Sequence, residues 1–451
     1  MIENFKNFLK TAPLKTILLL ILGWFLMVLL NYYLNEHHFF TGTRITFPIS
    51  VVYFSIFSLQ GIFFSFIFLA FGLYNLYHFE KLNSKMLFLV YSFAIIFGNL
   101  AQGSLHQTFL RSFIDTDFQY YHDVIKISNG FDFISSYNDI QESLTMHAKT
   151  HPPFAVWIQY VLYKITNQSV LGLAIGMSII GLFAYFPLIK ILDFFKINTS
   201  KKNLFILLFA FIPAVNIYTI VSIDAIFLFF SLIFLYGTLL ISNSKALNIK
   251  GILIAFIGFS LTNSISFSGS FLACVAGIYS IYELLKNKNK FPLFNFIFVG
   301  LLFIALLIFS YFVFNYNHIG AFLKASHLEN PRGFRGFDQP IVYLFTRLED
   351  VSEILLFLSF GFFAYLFSPK ALNFNKQSIH FYLPMIAFGS LSLMFLTGAY
   401  GTGETARACL YIYPYFLLLL INVKDIQVLK NIVFIALFQT FFMQLIGDYF
   451  W

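Results

Sequence analysis

Residues 291–315 read FPLFNFIFVGLLFIALLIFSYFVFN, a stretch of twenty-five residues without a charged side chain. A helix needs about 20 such residues to cross the hydrocarbon core of a bilayer. Twelve comparable apolar runs occur elsewhere, at 14–34, 49–77, 86–103, 169–189, 203–220, 223–242, 251–265, 268–285, 351–368, 379–398, 405–422 and 431–447. The sequence therefore predicts an all-α fold, a polytopic transmembrane helical bundle of about 13 spans, with residues 1–451 forming a single integral membrane domain.

The overall composition agrees with a membrane protein. Of the 451 residues, 59% are hydrophobic and 11% are charged, whereas soluble domains average about 45–50% and 25%. This composition excludes a soluble enzyme, a disordered protein and a secreted disulfide scaffold. The net charge of +8 does not indicate a nucleic-acid partner, because the chain has no soluble basic face that could bind one.

The distribution of cations predicts the orientation in the membrane. With the N-terminus in the cytoplasm and 13 crossings, 18 of the 28 Lys and Arg residues fall on the inner side, and all 18 are lysines. This excess is what the positive-inside rule requires. Counting 151–167 as another span would move the lysines between 190 and 202 outside, so we interpret that segment as a juxtamembrane helix. We expect a multi-pass protein of a bacterial inner membrane with its active site facing outside.

All six arginines lie in segments predicted to be outside: Arg44, Arg111, Arg332, Arg335, Arg347 and Arg407. Orientation does not require arginine there, whereas bidentate recognition of phosphate or carboxylate favours arginine over lysine. The two largest outer segments are a loop with juxtamembrane helices at 104–168 and a second loop at 317–350. Any chemistry is therefore expected on the outer face.

Two acids in the first loop are candidates for a general base. If Asp115 caps a helix, Asp117 shares a helix face with Tyr121 and Val124. On such a helix the two acids point about 200° apart, so only one of them can face a given cavity. The alternatives are a simple capping residue at 115 and a solvated carboxylate at 117.

The same loop ends in His151-Pro-Pro, a pattern that predicts the start of a helix. Proline suits the first turn and holds the preceding residue in an extended conformation, which would project His151 and Lys149 from a stiff corner. His147 lies four residues before His151, a spacing that suits zinc, but a regular helix cannot continue into Pro152. We therefore expect no metal site there, and a rigid corner without a ligand remains the alternative.

Three further polar positions lie on the outer side. Arg332 and Arg335 alternate with glycines, so their backbone could approach an anion, although a snorkelling basic rim is equally compatible. Arg407 lies about one turn inside an apolar run, where a charge usually faces a cavity, and Glu404 is placed to pair with it. Asp224 falls at an outer turn between two spans, either as a functional acid or as an ordinary turn residue.

In these motifs the chain resembles the GT-C glycosyltransferases, polytopic enzymes that use polyprenyl-phosphate-linked sugars. The motifs come in the family's order and cover roughly residues 86–422: Asp117-Phe-Gln-Tyr-Tyr followed by Gly130, the His151-Pro-Pro corner, the Pro213 to Asp224 turn, and Gly-Glu404-Thr-Ala-Arg407. The chain departs from several relatives in having Asp115-Thr-Asp117 where they carry Asp-Glu. This departure leaves open which acid corresponds to the catalytic aspartate.

The resemblance implies an inverting transfer of a sugar from a polyprenyl-phosphate donor to an acceptor hydroxyl of a lipid, glycan or protein. Asp117 or Asp115 would be the general base. The donor phosphate would be bound by a set of basic residues, Arg407, Lys149, His151, Arg335 and Arg332, with Glu404, Asp224 and Tyr121 in support. The resemblance implies no certain cofactor, and a divalent cation is left open. The rival functions are a transporter or flippase, a polymerase of lipid-linked glycans, and a purely structural subunit.

Overall fold

The computed structural model describes residues 11–37, 53–54, 58–331, 333–367, 378–400 and 404–449. Its α-helices run, in order, α1 Leu14–Glu36, α2 Leu59–Tyr77, α3 Ser84–Leu100, α4 Leu105–Phe109, α5 Arg111–Ile114, α6 Tyr121–Val124, α7 Gly130–Ile140, α8 Met146–Thr150, α9 Phe154–Ile165, α10 Val170–Leu182, α11 Tyr185–Phe194, α12 Thr199–Phe211, α13 Pro213–Tyr218, α14 Ile223–Ser242, α15 Ile249–Ile265, α16 Ser270–Lys286, α17 Phe291–Phe314, α18 His318–Glu329, α19 Arg335–Asp338, α20 Pro340–Leu358, α21 Phe360–Leu366, α22 Ile379–Leu396, α23 Thr405–Ala408, α24 Tyr413–Leu418 and α25 Ile426–Ile446.

Short 3₁₀ turns and one small strand pair complete the architecture. The 3₁₀ turns are Phe79–Lys81, Gln141–Ser143, Phe267–Gly269 and Leu410–Ile412. Strand β1, Tyr53–Phe54, pairs antiparallel with β2, Gly447–Asp448. The predicted all-α helical bundle is thus confirmed for the described residues, apart from this two-residue ladder.

Eight helical segments in the described part of the chain are long and apolar enough to cross a membrane. They are Leu14–Glu36, Leu59–Tyr77, Val170–Phe194, Ile223–Ser242, Phe267–Lys286, Phe291–Phe314, Ile379–Leu396 and Ile426–Ile446. Each coincides with one of the predicted apolar runs. Helices of this length and composition indicate a multi-pass membrane protein.

The other five predicted runs form shorter helices. The runs at 86–103 and 251–265 fold as α3 and α15, of 17 residues each, or about 25 Å at 1.5 Å per residue. The remaining three runs are interrupted, at Pro213 between α12 and α13, at Ser359 between α20 and α21, and by the 3₁₀ turn before α24. Proline lacks the N–H that would continue a helix, and Ser359 adopts a φ of 125°.

Polar side chains of α13 and α25 satisfy the backbone at two of these breaks. At the first break, the Thr440 hydroxyl donates to the Phe211 carbonyl at 2.7 Å. The Asn216 amide donates to the Ala210 carbonyl at 2.8 Å. At the second, the Gln439 amide donates to the Leu356 carbonyl at 2.7 Å and accepts from the N–H of residue 360. Because an unsatisfied backbone group inside a membrane is costly, these side chains make the breaks tolerable.

Helices α14 and α15 form the most extensive helix pair, and small residues allow their backbones to approach closely. A Cβ on Gly258 would lie 2.3 Å from the backbone nitrogen of Phe234, and one on Gly237 would lie 2.5 Å from that of Ala255. Close packing through small residues is the usual way in which membrane helices associate. Since α14 begins at the Asp224 turn, this contact also fixes the position of that turn.

Gly258→Ala should lower the thermal stability of the purified protein, since a methyl group cannot fit against the backbone of α14. Overpacking of this kind costs about 1–3 kcal/mol. Gly389→Ala is the matched control, because no atom lies within 4 Å of its added Cβ and alanine is the better helix former. Equal melting temperatures for both variants in detergent would contradict the proposed packing of α14 on α15.

Candidate functional site

Arg407 is held between two carboxylates from different parts of the chain. Its Nε lies 3.4 Å from Oδ2 of Asp224, and its Nη2 contacts Oε2 of Glu404. Each of the three side chains is about one-fifth exposed, at 20%, 19% and 21%. Glu404 and Arg407 thus form the pair that the sequence predicts, and Asp224, from the first turn of α14, joins it.

Local backbone conformation places both acids. The Ser222 hydroxyl caps the start of α14 by accepting from the N–H of Asp224 at 3.0 Å. Val221, just before it, has a φ of 63°, and Glu404, just before α23, has a φ of 56°. A left-handed conformation is costly for a side-chain-bearing residue and persists only where surrounding contacts impose it. The two segments that meet at Arg407 are therefore both held in strained conformations.

Residues of the 104–168 segment complete the cluster. The buried ring of Tyr120 packs against His147 and His151, with ring centroids 5.9 and 5.6 Å away. Burial raises the pKa of Tyr120 well above its ordinary value, and nearby Asp224 raises it further while Arg407 lowers it. Tyr120 is therefore within electrostatic range of the ion pair.

We call Arg407, Asp224, Glu404, Tyr120, His147 and His151 the Arg407 cluster. Burial lowers the pKa of His147 to about 3 and that of His151 to about 4, and in both cases repulsion from Arg407 lowers the pKa too. Both imidazoles are consequently neutral at pH 7. The Nδ1 of His151 lies 3.0 Å from the carbonyl oxygen of His147, so one ring nitrogen is engaged by the local backbone.

The His-Pro-Pro corner forms as predicted. Helix α8 ends at Thr150, His151 is extended with φ −122° and ψ 156°, and α9 begins at Phe154 directly after the two prolines. The Tyr137 hydroxyl bridges the corner by donating to the carbonyls of Ala148, at 3.0 Å, and His151. The corner is therefore fixed from both sides.

The helical geometry predicted for the two acids is wrong. Asp115 follows the end of α5 instead of capping the start of a helix, and Asp117 lies in an exposed turn because α6 begins only at Tyr121. Local side-chain to backbone bonds favour this turn: the Thr116 hydroxyl donates to the Ser112 carbonyl at 3.0 Å. The two acids therefore share no helix face.

The acidic turn nevertheless lies at the edge of the Arg407 cluster. The N–H of His147 donates to the carbonyl of Phe118 at 3.3 Å, and the rings of these two residues are 5.7 Å apart. Asp117 precedes Phe118 directly, and both Asp115 and Asp117 are exposed. Their carboxylates are thus accessible to solvent beside a largely buried ion pair.

The other predicted site residues are not brought into the cluster. Lys149 is half-buried on α8 and Arg335 is exposed on α19, and no contact joins either side chain to Arg407 among the residues that the structure describes. Arg332 lies outside the described residues. Tyr121 packs on Phe113 and Tyr163, each at 5.8 Å, so its neighbour Tyr120 takes the place that we expected for it.

An apolar cavity of about 380 Å³ borders the His-Pro-Pro corner. It lies between α7, α9, α15 and α17, and its walls include Pro152, Pro153, Phe154, Trp157 and His318. Ligand pockets in proteins have volumes of about 300–1,000 Å³. The corner thus adjoins a charged cluster, through His151, and an apolar space of ligand size, through Pro152 and Pro153.

Within the described ranges, no three His, Cys, Asp or Glu side chains are grouped so that they could hold a metal ion. The zinc-like spacing of His147 and His151, where the sequence led us to expect no metal, has no third protein ligand grouped with it among the described residues. Asp224 and Glu404 are the two carboxylates that contact Arg407.

Replacing His151 should reduce the sensitivity of the fold to acid. Because the folded-state pKa of His151 is about 4, below its ordinary value of about 6.5, the unfolded chain takes up a proton first as pH falls. Stability is therefore fully present above pH 6.5 and is lost progressively towards pH 4. The melting temperature of His151→Asn should fall less over this range than that of the wild type.

His106→Asn, at an exposed position on α4, is the matched control and should retain the wild-type pH dependence. Parallel melting curves against pH for all three proteins would contradict a half-buried His151 whose pKa is lowered in the folded state.

Comparisons with protein-family models, with curated proteins and with solved structures find no significant match. The resemblance to the GT-C glycosyltransferases therefore stays a prediction from the sequence motifs. The structure itself supports the coarser statement, that the chain is a helical, multi-pass membrane protein in which residues from three distant segments meet around Arg407.

Proposed function

We propose that the protein is a GT-C-type membrane glycosyltransferase that moves a sugar from a polyprenyl-phosphate donor to an acceptor hydroxyl. The observation that carries this proposal is that the His151-Pro152-Pro153 corner adjoins both the Arg407 cluster, through His151, and the apolar cavity, through the two prolines. A polyprenyl-phosphate sugar has one charged and one apolar part, and these would fit the two sides of the corner. A water-soluble donor would have no use for the cavity.

The donor phosphate would contact the guanidinium of Arg407. A guanidinium has five N–H donors and can bind several acceptors at once. The first isoprene units would lie against Pro153 and Trp157 in the cavity, and the rest of the chain would extend into the lipid. Positive charge beside the phosphate lowers the activation barrier for the departure of polyprenyl phosphate from the sugar, because negative charge on the phosphate grows in the transition state.

The base would be Asp117 or Asp115. Its carboxylate would take the proton of the acceptor hydroxyl, whose oxygen then forms a bond to the anomeric carbon. The bond from that carbon to the phosphate oxygen breaks at the same time, and its electron pair leaves with polyprenyl phosphate. This displacement inverts the anomeric centre. An exposed carboxylate suits the task, since the acceptor must approach from outside the helical bundle.

The net charge of the cluster must be offset before a donor phosphate can bind. One guanidinium and two carboxylates leave a formal charge of −1, which repels a phosphate. Lys149, on α8, is the nearest cation in sequence to His147 and His151 and could offset this charge by turning inward. Alternatively, Asp224 and Glu404 are the residues that would hold a divalent cation together with the phosphate, as magnesium sites often combine one or two carboxylates with substrate oxygens.

We also propose the membrane topology that the distribution of cations predicts. The chain would cross a bacterial membrane 13 times, with the N-terminus in the cytoplasm and the Arg407 cluster on the outer side. The short helices α3 and α15 would then be crossings, as would the interrupted runs, whose breaks are buried within the protein. Irregular backbone is tolerated at membrane depth in such places.

A second candidate function is the transport of lipid-linked sugars. The interrupted runs favour it, because transporters often bind substrates at discontinuous helices, and the break at Pro213 lies on the segment that leads to Asp224. Catalysis and transport differ in their products. Only a transferase releases polyprenyl phosphate from the donor.

Replacing the base should abolish sugar transfer in the purified protein supplied with polyprenyl-phosphate sugars. Either Asp117→Asn or Asp115→Asn should lower kcat by about 100- to 10,000-fold, the usual contribution of a general base. The other substitution, at an equally exposed position in the same turn, serves as the matched control and should have little effect.

Release of polyprenyl phosphate measures the reaction directly. Near-normal turnover in both variants would show that neither acid is the base. If wild-type protein moves labelled donor across liposome membranes without releasing polyprenyl phosphate, the transporter is correct and the transferase is wrong.

A further inference from the structure

Helix α20 carries a row of buried charged residues that the sequence motifs did not single out. Arg347, Asp350 and Glu353 follow each other at intervals of three, a spacing that places them on one face of the helix. Their exposed fractions are 9%, 0% and 1%. A membrane helix that needed only to pack would use apolar side chains here, since burying charges is costly even when they are paired.

The two carboxylates of this face hold the start of α23. The Thr405 hydroxyl donates to Oδ1 of Asp350 at 2.6 Å, and the backbone N–H of Ala406 donates to Oε1 of Glu353 at 2.9 Å. The N–H groups in the first turn of a helix have no partner within the helix. A helix of four residues is not stable by itself, so α23 depends on these external acceptors.

The guanidinium of the same face holds the chain that leads towards α23. Arg347 donates to the carbonyls of Phe395 at 2.8 Å, Ala399 at 2.6 Å and Tyr400. It also lies 3.2 Å from Oδ2 of Asp350. Tyr400 has a φ of 60°, a conformation that such contacts help to maintain. One helix face thus fixes the backbone both at residues 395–400 and at α23.

We infer that Arg347, Asp350 and Glu353 are positioning residues: they fix the backbone around α23 and thereby the place of the Arg407 guanidinium. This inference rests on the proposed function, because it assigns to Arg407 the stabilisation of the leaving phosphate. None of the three residues needs to touch the donor. They act through Arg407, two residues beyond Thr405 and one beyond Ala406.

Thr405 allows this inference to be tested with little change in shape. Its side chain is fully buried, valine matches its volume without a hydroxyl donor, and serine keeps the hydroxyl. We expect Thr405→Val to lower kcat about 10- to 100-fold with little change in the donor KM, because small displacements of a catalytic group act mainly on the transition state. Thr405→Ser should restore most of the turnover. Leu348→Ala, on the exposed side of α20, should leave kcat unchanged.

A double-mutant comparison separates positioning from a loss of stability. With Arg407→Lys as the background, Thr405→Val should lower kcat only slightly further, because the group that it displaces is already gone. All values are normalised to the folded, monodisperse fraction of each preparation. If the fold-losses in kcat of Thr405→Val and Arg407→Lys simply multiply in the double variant, the positioning role is overturned. A Thr405→Val protein that melts at a lower temperature but turns over normally would also overturn it.

The failure of the proposed function gives a different pattern. Wild-type protein that releases no polyprenyl phosphate from any donor overturns the proposed function and the positioning role together. If the wild type is active and Thr405→Val turns over at the same rate, the positioning role alone is overturned.

Discussion

The arrangement of the site depends on one interaction, the guanidinium of Arg407 between the carboxylates of Asp224 and Glu404. A mostly buried arginine is stable only when acceptors compensate for its lost hydration. Asp224 reaches it from the first turn of α14 and Glu404 from the residue before α23, so the ion pair joins segments that are far apart in the chain. The loop residues Tyr120, His147 and His151 then close over it as neutral, aromatic neighbours.

The surrounding bundle tolerates irregular backbone because it provides hydrogen bonds where helices are interrupted. Gln439 and Thr440 of α25 satisfy two breaks, and the buried face of α20 holds the chain on both sides of the segment before α23. Both sets of contacts place polar groups inside an apolar structure, where each polar group needs a hydrogen-bond partner. We infer that the bundle is built to hold short, strained segments in place, which is useful for a site that must keep its charges in a fixed geometry.

Much of the architecture follows from the sequence because hydrophobic length is a strong constraint in a membrane: eight predicted runs coincide with membrane-length helices. The sequence also led us to expect Asp224, His151 and Arg407 near one another, because all three lie in segments predicted to be on the same side of the membrane. Residue-level geometry was less predictable, since periodicity assigned Asp117 and Tyr121 to one helix. In the structure Asp117 lies in a turn, where side-chain bonds to the backbone compete with the helix, and Tyr120 packs on the two histidines in place of Tyr121. The charged face of α20 was missed because its partners lie on a distant segment, which no local pattern reveals.

The most direct test of the account is an experimental structure with bound polyprenyl phosphate, determined in a lipid nanodisc by cryo-electron microscopy. The account predicts the phosphate at hydrogen-bond distance, about 3 Å, from the guanidinium of Arg407. It also predicts that the first isoprene units lie along Pro153 and Trp157 in the apolar cavity. A lipid phosphate bound away from Arg407, with the cavity filled by other side chains or by unrelated lipid, would contradict it.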